Sequence, residues 1–150
     1  MFEGIITPIV TPFNRDKEES INYEATEKLI NYLIEHGVKG IFILGSNGEF
    51  HVVDEDEKVE FAKKVVEIVN KRVPVFVGTG CCSTRATVRL SKKMEEIGAD
   101  ALSVITPYFL KPTDENLYAH YKAVAQSVNI PIVLYNIPKA TGCPLSPELV

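Results

Sequence analysis

A chain of 150 residues can bury a core of its own, and 45% hydrophobic with 24% charged residues is the composition of an ordinary globular protein. The net charge of −4 excludes a broad basic surface, so no nucleic-acid partner is expected. No apolar run reaches the length of a membrane span, and the N-terminus lacks the basic and apolar regions of a signal peptide, so a cytoplasmic location with no membrane partner is expected. Cys81 and Cys82 are adjacent and Cys143 is distant, which fits neither a disulfide framework nor a zinc spacing. His36, His51 and His120 are scattered and read as surface or packing residues, so no metal site is expected.

In chain order, residues 5–10 are strand-like. Residues 23–35 form an amphipathic helix, with Leu29, Ile30, Leu33 and Ile34 at helical spacing and Gly37 just past its end. Residues 40–44 form a continuous apolar strand. Asp54 is placed to cap a helix reaching about Asn70, with Val59, Ala62, Val65, Val66 and Val69 on one face. A strand over 74–77 runs into Gly78-Thr79-Gly80. Ser83 or Thr84 caps the next helix, which Gly98 stops. A strand over 101–105 ends in Thr106-Pro107, and Thr113 or Asp114 caps a helix to about Ser127. The last strand, 130–134, ends in Tyr135-Asn136, and Ser146-Pro147-Glu148 reads as the first turn of another helix.

The order is β-α repeated, with strands apolar along their length. Such strands are buried on both faces, in a parallel sheet covered by helices. An open doubly wound sheet and the first part of a (β/α)8 barrel both fit this order, and periodicity does not choose between them. Both place their sites at the C-terminal ends of the strands. In this chain those ends carry Thr11-Pro12 and the stretches 45–49, 78–82, 106–108 and 135–142.

The stretch Gly45-Ser46-Asn47-Gly48-Glu49 puts hydroxyl, amide and backbone N–H groups at one point, as binding a small carboxylate or phosphate requires. It is neither a Walker loop nor a dinucleotide fingerprint. The alternative is a tight turn in which Ser46 or Asn47 only caps backbone. Tyr135 stands at the mouth of the sheet, where a phenol can move protons or simply pack. Tyr108-Phe109 reads as a packing or interface cluster. A Schiff-base lysine should sit on a strand in apolar surroundings, and none of the lysines fits that description well.

Five ordered segments extend these readings: GIITPIVTPF at 4–13, GSNGE at 45–49, GTGCCSTRAT at 78–87, GADALSVITPYFLKP at 98–112 and PIVLYNIPKATG at 131–142. Together they resemble the dihydrodipicolinate synthase and N-acetylneuraminate lyase superfamily over essentially the whole chain. The resemblance implies a (β/α)8 barrel, of which residues 1–150 would be the N-terminal part, covering about the first five β/α units of a single domain. It also implies a homo-oligomer, tetramer or dimer, and a Schiff base between pyruvate and a lysine, with no metal or organic cofactor. By position, Ser46 and Asn47 would bind the pyruvyl carboxylate and Tyr135 would move protons. The family's lysine lies on a sixth strand, beyond these residues.

Within that superfamily the residues point away from the synthase. Its two threonines are replaced by Ser46 and Asn47, its second relay tyrosine by Phe109, and the arginine that grips its second substrate by Ala140, with Lys139 alongside. Phenylalanine cannot relay a proton and alanine cannot hold a carboxylate. In motif the chain is closer to hydroxy-oxoglutarate and keto-deoxy sugar acid aldolases. The expected reaction is therefore cleavage of a 4-hydroxy-2-oxo acid to pyruvate and an aldehyde. 4-Hydroxy-tetrahydrodipicolinate synthase is the alternative, and a non-catalytic barrel fragment is expected if the chain ends at Val150.

Overall fold

The computed structural model describes residues 2–150. One parallel sheet holds β1 (Ile6–Pro8), β2 (Gly40–Ile43), β3 (Val75–Gly78), β4 (Ala101–Ile105) and β5 (Ile132–Tyr135). The connections are helical: α1 (Tyr23–Glu35), α2 (Glu55–Val69), α3 (Thr84–Ile97) and α4 (Asp114–Ala125), with a short α5 (Pro138–Thr141) after β5.

Strand order decides between the two architectures. A doubly wound sheet reverses its order at a switch point, whereas a barrel adds every strand on the same side of the last. Here each strand pairs with the next, in registers that include Ile6↔Gly40, Ile41↔Val75, Phe76↔Ala101 and Leu102↔Ile132. The chain is the five-stranded first part of a (β/α)8 barrel.

Side chains alternate across the sheet. Ile41, Ile43, Val75, Val77, Leu102 and Val104 belong to the buried core together with Ile30, Phe61, Val65, Leu90 and Met94 of the helices. Each such side chain contributes about 1.5–3 kcal/mol on burial. Phe42, Gly78, Ser103, Ile105 and Tyr135 instead share the small space on the other face, toward the barrel axis.

Side chains fix the helix starts. Asn22 Oδ1 accepts from the Ala25 N–H at 2.8 Å, and the Asp54 N–H donates to the Glu57 carboxylate at 3.0 Å. Ser83 Oγ accepts from the Ala86 N–H at 3.2 Å and Thr113 Oγ1 from the Asn116 N–H at 3.3 Å. Ser83 and Thr113, rather than Thr84 and Asp114, are therefore the caps. Such a cap is worth about 1 kcal/mol.

Four sequence expectations need correction. β1 is shorter than 5–10, and β5 begins later than Ile130 and includes Tyr135. β5 is not buried on both faces: Val133 is 43% exposed on the barrel-axis face, where it pairs with Ser103. Residues 146–149 make a turn closed by the Leu149 N–H on the Ser146 carbonyl at 3.2 Å, not the start of a helix. The helix with proline in its first turn is α5, and Gly142 closes it at φ +67°.

Candidate active site

The site is built on the exit from β2. Leu44 is 1% exposed yet adopts φ +56°, a left-handed conformation that costs a branched residue about 1–2 kcal/mol. That reversal lays the Leu44 carbonyl over Gly78, the last residue of β3. A Cβ on Gly78 would stand 1.9 Å from the Leu44 oxygen, so only glycine fits. The chain then makes one 3-10 turn, Ser46–Gly48, closed by the Gly48 N–H on the Gly45 carbonyl at 3.0 Å and the Glu49 N–H on the Ser46 carbonyl at 3.2 Å.

Tyr135 arrives from the end of β5. Its ring meets the edge of Phe42 at 6.2 Å between centroids, within the barrel face of the sheet. Ser46 Oγ lies 3.1 Å from the Tyr135 hydroxyl, although the two residues are 89 positions apart. The fold thus brings together the serine and tyrosine that the sequence singled out. The Ser46 hydroxyl goes to Tyr135 rather than to a backbone cap. Asn47 is exposed, and its carboxamide makes no hydrogen bond among the described residues, so the capping alternative applies to neither side chain.

Beside this pair opens a cleft of about 290 Å³, lined by Ser46, Phe50, His51, Ile105, Tyr108, Ala140 and Thr141. Burial above all, with Cys82 alongside, pushes the Tyr108 phenol up to about 12, so it stays protonated at neutral pH. Thr106 Oγ1 meets Thr141 Oγ1 and the Cys143 carbonyl at 3.0 Å each, which holds the segment carrying Ala140 against the end of β4. The Asn136 carboxamide closes the same segment by donating to the Leu145 carbonyl at 3.2 Å and accepting from the Leu145 N–H at 3.1 Å. No arginine or lysine lines the cleft.

A larger cavity, about 780 Å³, opens at the other end of the strands around Lys39, Lys71, Arg72 and Asp100. Two of its charged groups already serve the fold: Arg72 Nε donates to the Val69 carbonyl at 3.0 Å, and the Asp100 carboxylate accepts the Val75 N–H at 2.8 Å. The N-terminal face of a barrel serves stability, and the chemistry belongs at the opposite end.

Sequence reasoning missed the buried Thr11, whose hydroxyl donates to the Gly48 carbonyl at 2.7 Å, and did not place Tyr108 in the cleft. The one sign of Thr11 was a threonine in the segment that follows the first strand, and nothing in the sequence pointed to its partner. Among the described residues no group of three or more histidine, cysteine or acidic side chains could hold a metal ion. Nor is any described helix long and apolar enough to cross a membrane.

The model of the Dihydrodipicolinate synthetase family matches residues 1–150. The 4-hydroxy-tetrahydrodipicolinate synthase of Geobacter metallireducens is 45% identical over all of this chain and 51% of its own. The chloride-inhibited dihydrodipicolinate synthase from Acinetobacter baumannii, solved complexed with pyruvate, superimposes with a TM-score of 0.95 at 40% identity, covering 99% of this chain and 50% of that one. YagE, a prophage protein of the dihydrodipicolinic acid synthase family from E. coli K12, also solved with pyruvate, gives 0.95 at 40% identity, covering 99% and 49%. The chain spans about half the length of the curated relatives it matches.

Proposed function

The chain belongs to the dihydrodipicolinate synthetase family, and from that premise we propose that its complete protein is a Schiff-base enzyme acting on pyruvate. Residues 1–150 then form the N-terminal part of one barrel domain. The observation that carries the proposal is the Ser46–Tyr135 hydrogen bond of 3.1 Å at the strand C-terminal ends. The Ser46 hydroxyl, the Asn47 carboxamide and nearby backbone N–H groups bind the pyruvyl carboxylate. The Tyr135 phenol moves protons at the substrate hydroxyl and the carbinolamine. The nucleophilic lysine comes from a later strand, and the lining of the cleft, which contains no lysine, is consistent with that.

For the second substrate, the names of the relatives favour the synthase over the aldolase expected from sequence. The first reading is therefore condensation of pyruvate with aspartate semialdehyde, as in 4-hydroxy-tetrahydrodipicolinate synthase. A specific observation favours the second reading, cleavage of a 4-hydroxy-2-oxo acid to pyruvate and an aldehyde. The cleft beside Ser46 is walled by Phe50, Ile105, Tyr108 and Ala140, with no guanidinium to grip a carboxylate.

The full-length enzyme separates the two when assayed in both directions. Product from pyruvate and aspartate semialdehyde, with no pyruvate released from 4-hydroxy-2-oxo acids, establishes the synthase. The converse establishes the aldolase. A cytoplasmic homo-oligomer, tetramer or dimer, accords with both readings. The exposed Phe109 and Leu110, 92% and 75% accessible, offer apolar surface for self-association.

A further inference from the structure

We infer that Thr11 is a positioning residue for the pyruvate-binding turn, acting through the Gly48 carbonyl; this rests on the pyruvate reading above. Three observations meet at that point. Thr11 is buried, 3% exposed, and its hydroxyl donates to the Gly48 oxygen at 2.7 Å. Among the described residues no other donor reaches that carbonyl. Gly48 itself sits directly on the segment that follows β1: a Cβ there would stand 3.2 Å from the Ile9 carbonyl oxygen and 3.3 Å from Thr11 Oγ1.

The turn is therefore held at two ends. At its entry the left-handed Leu44 rests its carbonyl on Gly78. At its exit the Thr11 hydroxyl takes the Gly48 carbonyl. Between these anchors lie only Gly45, Ser46 and Asn47, and Ser46 must stay within hydrogen-bond reach of Tyr135. The turn has one 3-10 loop of internal hydrogen bonding and no side-chain cap at its start, so it cannot fix its own placement. Removing the Thr11 hydroxyl leaves a buried carbonyl without a donor, and the turn relaxes toward water to regain one. Ser46 then moves relative to a tyrosine on the far strand. A misplacement on the order of 1 Å costs about 100-fold in rate.

The test uses the full-length enzyme and compares wild type with Thr11→Val, Thr11→Ser and Gly48→Ala. Each is incubated with pyruvate and borohydride, adduct is quantified by intact mass to count active sites, and kcat and KM are measured per trapped site alongside Tm. The expected result is about a 100-fold loss of kcat/KM per site in Thr11→Val. Thr11→Ser, which keeps the hydroxyl, recovers most of it. Gly48→Ala, which pushes the turn off the segment that follows β1 from the other side, shifts KM in the same direction as Thr11→Val.

A lower Tm and fewer active sites, with per-site kcat and KM unchanged, would overturn the inference and leave Thr11 a structural residue. Should Thr11→Val not fold, Gly48→Ala decides, and an unchanged KM there overturns the inference. A wild-type enzyme that forms no pyruvate adduct would overturn the pyruvate reading and this inference with it. An adduct in wild type with unaltered variants would overturn this inference alone.

Discussion

The turn after β2 and the loop after β4 flank the same cleft and are built in opposite ways. The first is anchored by Gly78 beneath Leu44, by Thr11 on Gly48 and by Tyr135 on Ser46. The second begins on the buried network of Thr106, Thr141 and Cys143, and then Tyr108 takes the Cys82 thiol on its carbonyl at 3.4 Å and sets its ring edge-on to Phe50. Phe109 follows at φ +77° with its ring in solvent. The half of the site assigned to pyruvate is thus rigid within this chain. The other half rests on a loop in which Tyr108 packs on Phe50 while Phe109 and Leu110 stand in solvent. That is the expected division when one substrate is common to a family and the other varies, because loops on a barrel change more cheaply than the strands beneath them.

The comparison is broken most severely at Gly78. Gly78→Ala puts a methyl group where the Leu44 oxygen lies 1.9 Å away, so we expect loss of soluble protein or a destabilisation of about 3 kcal/mol, read by thermal melting. A wild-type melting curve would show that the anchored turn can slide. Next, Tyr135→Phe keeps the ring against Phe42 and removes the hydroxyl that meets Ser46. Turnover of the full-length enzyme should fall about 100-fold or more while pyruvate binding changes little. Unchanged turnover would remove Tyr135 from the chemistry.

The loop side should respond in specificity and association rather than in folding. Ala140→Arg adds a guanidinium to a cleft wall that lacks one. It should raise kcat/KM for a carboxylate-bearing aldehyde about 10-fold relative to a neutral one. No change in that ratio would place the second substrate elsewhere. Phe109→Ser should leave far-ultraviolet circular dichroism unchanged and weaken self-association in sedimentation, since the ring is 92% exposed in the single chain.

The smallest effect belongs to the outside of the fold. Glu55 at the start of α2 pairs with Arg89 and with Lys93 at 2.9 Å on α3, and these partners hold its carboxyl at about 2. A carboxyl depressed by folding stabilises above its ordinary range near 4.5, and that contribution is lost as pH falls toward about 2. Glu55→Gln should therefore lower stability by about 0.5–1 kcal/mol at neutral pH, with the difference from wild type vanishing in acid. An equal difference at both pH values would assign the effect to helix capping instead.

Much of this was legible in the chain. α1 falls where its apolar spacing put it, and α2 starts directly after the Asp54 cap, because local patterns of burial and capping set both. The choice of a barrel over an open sheet was not legible from periodicity, since both require the same apolar strands. It came from motif resemblance and from strand order. Ser46 and Tyr135 could be named singly, but their meeting across 89 residues depends on how the sheet brings the ends of β2 and β5 together, which no local pattern carries. Thr11 was hidden for the same reason: its partner is a backbone carbonyl 37 positions away. The positive φ of Leu44 was invisible because a leucine gives no sign of a conformation that glycine would advertise.

The most direct test of the pyruvate assignment is intact-mass spectrometry of the full-length protein reduced with borohydride in the presence of pyruvate. One reduced pyruvyl adduct per chain is expected, mapped by peptide digestion to a lysine outside residues 1–150, with Tyr135→Phe slowing its formation more than it weakens pyruvate binding. No adduct, or an adduct on any lysine within residues 1–150, would contradict the pyruvate assignment.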